Sequence, residues 1–183
     1  MNTLYLIRHG KTPANEAHLY CGSTDLPLSD AGIAELKTLH YQLSPGEIVT
    51  SGMKRTEQTL HLLLGDVPHT QDPGFREIDF GDFELQSYEQ LKDRPDYQAW
   101  ISGDNHRNVP PNGESGFQMQ QRVFNALKPY LHRDHPVLIV SHGGVIAAIM
   151  AALFPGEDKN LYQWQPRPGH GYAVTDGGYQ SIP

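Results

Sequence analysis

Hydrophobic residues follow two alternating patterns along the chain. Short, nearly continuous apolar runs at Thr3–Arg8, Glu47–Ser51 and Pro136–Ser141 predict buried strands, with a further short strand near Val67–Gln71. Between them, apolar positions recur at helical spacing. Ala31, Ile33, Leu36, Leu39 and Leu43 form one such stripe, opened by Ser29 as N-cap. A helix is expected from about Met53 to Leu64, with Gly65 as its stop signal. Phe117, Phe124, Leu127 and Leu131 mark a longer helix over Ser115–His132. Pro129 should kink or end it, because an interior proline costs about 3 kcal/mol. Val145–Phe154 reads as a buried helix stopped by Pro155-Gly156, and Gly171–Ile182 as a hairpin around Asp176-Gly177-Gly178. From Pro73 to Glu114 the chain is rich in Pro, Gly and charge; short helices are expected at Gln86–Lys92 and Pro95–Ile101.

Strands alternating with helices predict an α/β fold, a three-layer α/β/α sandwich around a mostly parallel sheet. The 183 residues fit one domain spanning 1–183, with a cap-like segment at about 83–112. No internal repeat interrupts it. The formal net charge of −7 argues against nucleic-acid or anionic-membrane partners, which require a basic face. Cys21 is the single cysteine, so no intrachain disulfide is possible and the fold does not depend on an oxidising compartment. The apolar N-terminal run is too short for a signal-peptide core, and Val145–Phe154 is about half of what a membrane span needs. The expectation is a soluble cytoplasmic protein.

In parallel α/β sheets, ligands bind beyond the carboxyl ends of the strands. Arg8-His9-Gly10 and Ser141-His142-Gly143 stand at two such ends. One strand-end histidine is ordinarily a packing or capping residue. Two, each followed by a glycine that lets backbone or ligand approach closely, form a less ordinary pair. On neighbouring strands their imidazoles could face each other across one pocket. Ten histidines are present, but no His-Glu-x-x-His and no zinc spacing occurs, and no Gly-rich nucleotide loop. The expectation is therefore chemistry without metal or cofactor. Cys21 reads as a small wall residue, and His132-Arg133-Asp134-His135 as a solvated turn.

Five blocks in order carry a resemblance to a known family. These are Arg8-His9-Gly10-Lys11-Thr12-Pro13-Ala14-Asn15, Ser51-Gly52-Met53-Lys54-Arg55-Thr56-Glu57-Gln58-Thr59, the acidic block Arg76 to Glu84, Pro111-Asn112-Gly113-Glu114-Ser115, and Ser141-His142-Gly143-Gly144. Together they resemble the histidine phosphatase superfamily, also called phosphoglycerate mutase-like. The resemblance implies that His9 is a nucleophile that becomes phosphorylated. Arg8, Arg55 and a protonated His142 would hold the phosphoryl oxygens, with Asn15 and Gly143 completing the substrate site. Glu77 would serve as the acid and base. Physical chemistry supports each role. Neutral imidazole attacks phosphorus and is available near pH 7, guanidinium forks suit paired oxygens, and phosphoryl transfer is mainly positioning and charge stabilisation. Taken singly, Arg55 on a helix would be a solvated residue, Glu77 a solvated loop carboxylate with Asp79, Asp82 and Glu84 as near neighbours, and Asn15 a helix cap.

Within the family, the short interval between Glu77 and His142 and the glycine at 144 favour a phosphatase of a small phosphate ester over a cofactor-dependent phosphoglycerate mutase. A non-catalytic phosphate-binding protein would be expected to lack a core residue, and none is missing. Leu19–Ser29 resembles the corresponding loop of alpha-ribazole-5'-phosphate phosphatases of cobalamin biosynthesis, as well as that of many general-purpose members. Phe83–Asn112, with Tyr88, Tyr97, Trp100, His106 and Arg107, is where substrate choice is expected to reside.

Overall fold

The structure, a computed structural model, describes residues 2–183. One mixed sheet of six strands organises it. Strands β1 (Leu4–Arg8), β2 (Glu47–Thr50), β3 (Thr70–Gln71), β4 (Val137–Ser141), β5 (Gly171–Thr175) and β6 (Gly178–Ile182) lie in the order β3-β2-β4-β1-β5-β6. The first four in that order run parallel, and β5 and β6 join antiparallel as the expected hairpin. All five residues of β4 are buried, as a central strand covered on both faces requires.

Side chains alternate between two layers. Leu4, Leu6, Val49, Val137 and Ile139 pack against α6 (Gly116–Leu127), α7 (Gly143–Leu153) and Trp164 of α8 (Leu161–Trp164). Ile7, Leu138 and Val140 turn the other way, onto Leu60 of α3 (Lys54–Leu64). The sandwich is therefore three layers deep, as the pattern implied. Phe83, Leu91 and Tyr97 form a separate small aromatic core with Tyr20, Phe80 and Trp100, across α4 (Tyr88–Leu91) and α5 (Pro95–Ile101).

Some boundaries differ from expectation for local reasons. Helix α2 (Asp30–Leu36) begins at the Ser29 cap but stops well before Leu43, where the Thr38 hydroxyl donates to the Glu35 carbonyl at 2.7 Å. Leu43 still packs on the sheet, from a loop. Helix α6 ends at Leu127, the end that Pro129 was expected to impose, because Pro129 has no N–H to continue the ladder. Helix α7 starts at Gly143, two residues before the expected Val145. Two single-turn helices, α1 (Pro13–Glu16) and α8, escaped the apolar pattern; both carry capping boxes, Thr12 with Asn15 and Asn160 with Gln163.

Candidate active site

Strands β1 and β4 are neighbours in parallel register, with Arg8 opposite Ser141. The next residues, His9 and His142, therefore emerge side by side. Their ring centroids lie 5.1 Å apart in an edge-on arrangement, and both are buried. His9 Nδ1 lies 2.7 Å from the Gly10 carbonyl oxygen. A carbonyl only accepts, so Nδ1 carries the proton and Nε2 the lone pair. Burial, then Arg55 and Arg8, push the His9 pKa well below the usual imidazole range. The ring is neutral near pH 7, with a nucleophilic nitrogen.

Arg55, in the first turn of α3, is fully buried. Its Nη1 donates to the Thr24 carbonyl at 2.9 Å, its Nη2 to the Gly22 carbonyl at 2.7 Å, and its Nε to His142 Nδ1 at 3.2 Å. Arg8 Nη1 donates to the Pro166 carbonyl at 2.8 Å, while its buried Nε has no partner among the described residues. Burial lowers the pKa of both guanidiniums, which remain charged at neutral pH. Among the described residues, neither makes an ion pair. Buried cations are ordinarily paired. Two unpaired ones beside a nucleophilic imidazole, with an orphaned N–H, define a site for an anion.

The Arg55 clamp has a second layer. The Glu84 carboxylate accepts the N–H groups of Gly22, Ser23 and Thr24 at 2.9, 2.9 and 3.2 Å, that of Phe80 at 3.1 Å, and the Thr24 hydroxyl at 2.7 Å. Gly22 and Thr24 are the residues whose carbonyls hold Arg55. Carboxylate and guanidinium are thus coupled through the Gly22–Ser23 peptide group, whose carbonyl holds Arg55 and whose N–H is held by Glu84. Gly22 permits the approach, since a Cβ there would stand 1.5 Å from the Ile78 carbonyl oxygen.

Glu77 sits at the N-terminus of α7. Its Oε2 accepts the Gly144 N–H at 2.9 Å and its Oε1 the Ile78 N–H at 3.1 Å. The other candidate acids have structural partners: Asp79 accepts from Ser23 and Gly81, Asp82 from Asn112, and Glu84 from the loop. Gly143 opens α7, where unsatisfied helix N–H groups favour an anion. Asn15 closes the α1 capping box, its Oδ1 accepting both the N–H and the hydroxyl of Thr12 at 3.0 Å. Among the described residues, its Nδ2 donates no hydrogen bond. Asn15 therefore both caps a helix and keeps a donor free.

His142 departs from expectation. A protonated ring was anticipated, but burial first, then Arg55, His9, Arg8 and Arg122, lower its pKa well below the usual range. The ring is therefore neutral near pH 7. Its Nε2 lies 2.8 Å from the Ser51 hydroxyl oxygen. Ser51 and Thr56 went unnoticed as site residues in the sequence, and Glu84 was weighed only as an alternative acid, although each lies inside a quoted block; only packing reveals their contacts. Cys21 contacts the Thr24 carbonyl at 3.5 Å, and burial raises its thiol pKa, which disfavours the reactive thiolate. Arg133 and His135 pair with Glu47 at the surface.

Among the described residues, no group of three or more His, Cys, Asp or Glu is placed to hold a metal ion, and no helix is long and apolar enough to cross a membrane. The chain belongs to the histidine phosphatase superfamily, whose branch 1 model matches residues 4–176, and it is a phosphatase of that superfamily. It is 35% identical over 182 residues to the adenosylcobalamin/alpha-ribazole phosphatase of Salmonella typhimurium LT2, covering 93% of this chain and 89% of that protein. The crystal structure of the alpha-ribazole phosphatase from Shigella flexneri superposes with a TM-score of 0.82 at 32% identity, over 97% of this chain and 93% of that one. The 2,3-bisphosphoglycerate-dependent phosphoglycerate mutase of Bartonella quintana is 28% identical over 166 residues, with 82% of this chain and 81% of that protein covered.

Proposed function

We propose that the protein hydrolyses alpha-ribazole-5'-phosphate, a small phosphate ester, through a phosphohistidine at His9. The observation that carries the mechanism is the bare His9 Nε2 beside two guanidiniums without ion-pair partners. The higher identity to alpha-ribazole phosphatases than to the mutase, at similar or greater coverage, supports the substrate.

In this mechanism His9 Nε2 attacks phosphorus in line with the ester oxygen. The N–P bond forms as the P–O bond breaks. Arg8, Arg55, the Gly143 N–H, the Asn15 amide and His142 hold the three equatorial oxygens, where the transition state carries its charge. Glu77 gives its proton to the departing oxygen. Water then attacks the phosphohistidine while Glu77 takes its proton, and the N–P bond breaks to release phosphate. Such acid–base help is worth about 10²–10⁴ in rate. The charge stabilisation comes from guanidinium groups, so turnover is expected to survive thorough chelation. The reading extends to a cytoplasmic enzyme of one domain without nucleic-acid partners, supported by the lone cysteine and the net charge of −7.

A phosphate-release panel tests the substrate. Alpha-ribazole-5'-phosphate should give the highest kcat/KM among mononucleotides, sugar phosphates and 3-phosphoglycerate. Isomerisation of 3-phosphoglycerate with a bisphosphoglycerate primer, outpacing hydrolysis, would establish a mutase instead. Rapid quenching with labelled substrate should trap phosphate in a base-stable, acid-labile bond. His9→Ala should trap none; label on a carboxylate or on Cys21 would refute the nucleophile.

A further inference from the structure

We infer that Ser51 is a positioning residue that fixes the tautomer of His142, so that binding of a phosphate dianion draws one proton onto His142 Nδ1. The inference rests on the reading of this pocket as a phosphate site.

Topology brings the two residues together. Strand β2 pairs with β4, with Thr50 opposite Val140, so Ser51 and His142 leave adjacent strands at the same edge. Ser51, Thr56 and His142 are all completely buried, at 0% exposure. No water competes for their hydrogens, and each must find a protein partner.

Donor accounting then permits one arrangement. The Arg55 guanidinium has no acceptor, so its Nε–H, 3.2 Å from His142 Nδ1, requires a lone pair there. The proton of the neutral ring is on Nε2 and goes to Ser51 Oγ at 2.8 Å. Thr56 donates its hydroxyl hydrogen to the Met53 carbonyl at 2.8 Å. Ser51 therefore donates its own to Thr56 Oγ1 at 3.0 Å. The chain runs His142 Nε2–H to Ser51 to Thr56 to the Met53 carbonyl. It cannot reverse, because its terminus is a carbonyl and only accepts.

The consequence appears at the other nitrogen. Nδ1 faces Arg55, and so faces the anion site with a lone pair. A phosphoryl oxygen arriving there is repelled unless Nδ1 gains a proton, from solvent or from a monoprotonated ester. The ring then becomes an imidazolium, with Nε2–H still held by Ser51, and the Arg55 Nε–H, which a protonated Nδ1 no longer accepts, turns to the phosphoryl oxygens together with the new Nδ1–H. The groups facing His142 are His9 and Arg8 from the end of β1, Arg55 from α3 and Arg122 from α6. All four are cationic or neutral, and the carboxylate of the pocket, Glu77, is held by the N–H groups of Gly144 and Ile78. The incoming dianion is what makes protonation favourable.

Sulfate is a suitable probe, because it stays dianionic between about pH 5 and 8. In ¹⁵N-histidine-labelled protein, long-range proton–nitrogen correlation should show His142 protonated at Nε2 only, and at both nitrogens when sulfate is saturating. Sulfate affinity should rise by up to tenfold per unit fall in pH, the slope of a single coupled proton. Ser51→Ala should lose the single-tautomer signature and weaken sulfate binding by about tenfold, because the buried Nε2–H is left unsatisfied. Should that variant not fold, Thr56→Val must show the same loss in part, and Thr56→Ser must rescue it. A wild-type His142 protonated at Nδ1, pH-independent sulfate affinity, or a Thr56→Val protein matching Thr56→Ser would each overturn the proposal. These measurements need no turnover. An inactive protein with the expected tautomer would count against the phosphatase reading alone.

Discussion

Two buried histidines share one pocket in opposite tautomers, that of His9 set by one carbonyl and that of His142 by Arg55 on one side and the Ser51–Thr56 chain on the other. The Gly10 carbonyl puts the His9 proton on Nδ1, and Ser51 receives the His142 proton from Nε2. Both rings have lowered pKa values. His9 therefore remains a competent nucleophile below pH 6.5, and the proton taken up by His142 is easier to supply there. Corrected for substrate ionisation, kcat/KM should hold or rise from pH 8 to pH 6. A fall with a midpoint near 6.5 would contradict the neutral, shielded His9. Glu77 is tested through its leaving group. An alkyl alkoxide departs poorly unless protonated, whereas nitrophenolate departs unaided. Glu77→Gln should slow phosphorylation of the enzyme by an alkyl phosphate by about 10²–10⁴, and by a nitrophenyl ester much less. Single-turnover formation of the phosphoenzyme isolates this step. Equal losses for the two esters would mean that Glu77 is not the proton donor.

At the scale of elements, helix α7 has two duties that compete at Gly144. Its first turn presents N–H groups to the anion site and to Glu77, and its remainder is core. A Cβ on residue 144 would stand 2.6 Å from Glu77 Oε1. Gly144→Ala should therefore displace the carboxylate and reduce turnover of alkyl phosphates. Alanine is also the better helix former, by up to about 1 kcal/mol, so the urea midpoint should hold or rise. Activity and stability moving in opposite directions is the expected outcome; unchanged alkyl-phosphate turnover would show that Glu77 tolerates the methyl group. Arg8, His9, Arg55, Glu77 and His142, which the structure brings together at one end of the sheet, were picked out in the sequence by strand-end motifs and ordered blocks. The charge states were not. His142 was expected protonated where it holds phosphate; its complete burial among three cations lowers its pKa, so that proton has to come with the anion. The Glu84 brace was illegible for the same reason: a loop carboxylate reveals nothing of the five donors that fold around it. The helix end at Leu36 was misjudged, where an apolar stripe continued past a local stop, whereas Pro129 did mark the end of α6; Leu43 and Leu131 still reach the core from outside the helices.

The whole molecule inherits the cost of this pocket. Folding buries His9 and His142 as neutral rings, while the unfolded chain protonates both below about pH 6.5. Below that pH the unfolded state binds more protons than the folded state, so stability rises with pH and is lost as pH falls through the ordinary imidazole range. Two such groups can contribute a slope approaching about 2.7 kcal/mol per pH unit, from about 1.36 kcal/mol for each. His69 acts in the opposite sense. Hydrogen bonding to the Val67 carbonyl and to Glu57 raises its pKa, and that contribution is fully present at low pH and lost as pH rises. It is one partly exposed group against two buried ones, so the net sign stays with His9 and His142. Urea unfolding should give a lower midpoint at pH 5 than at pH 7.5. Saturating sulfate should narrow the difference, because it binds only the folded state and brings the charge that lets His142 accept a proton. The comparison is internal to one protein and needs no variant. A midpoint that is flat from pH 7.5 to pH 5, with or without sulfate, would mean that the two histidines are already charged in the folded molecule, and the neutral nucleophile would have to be abandoned with them.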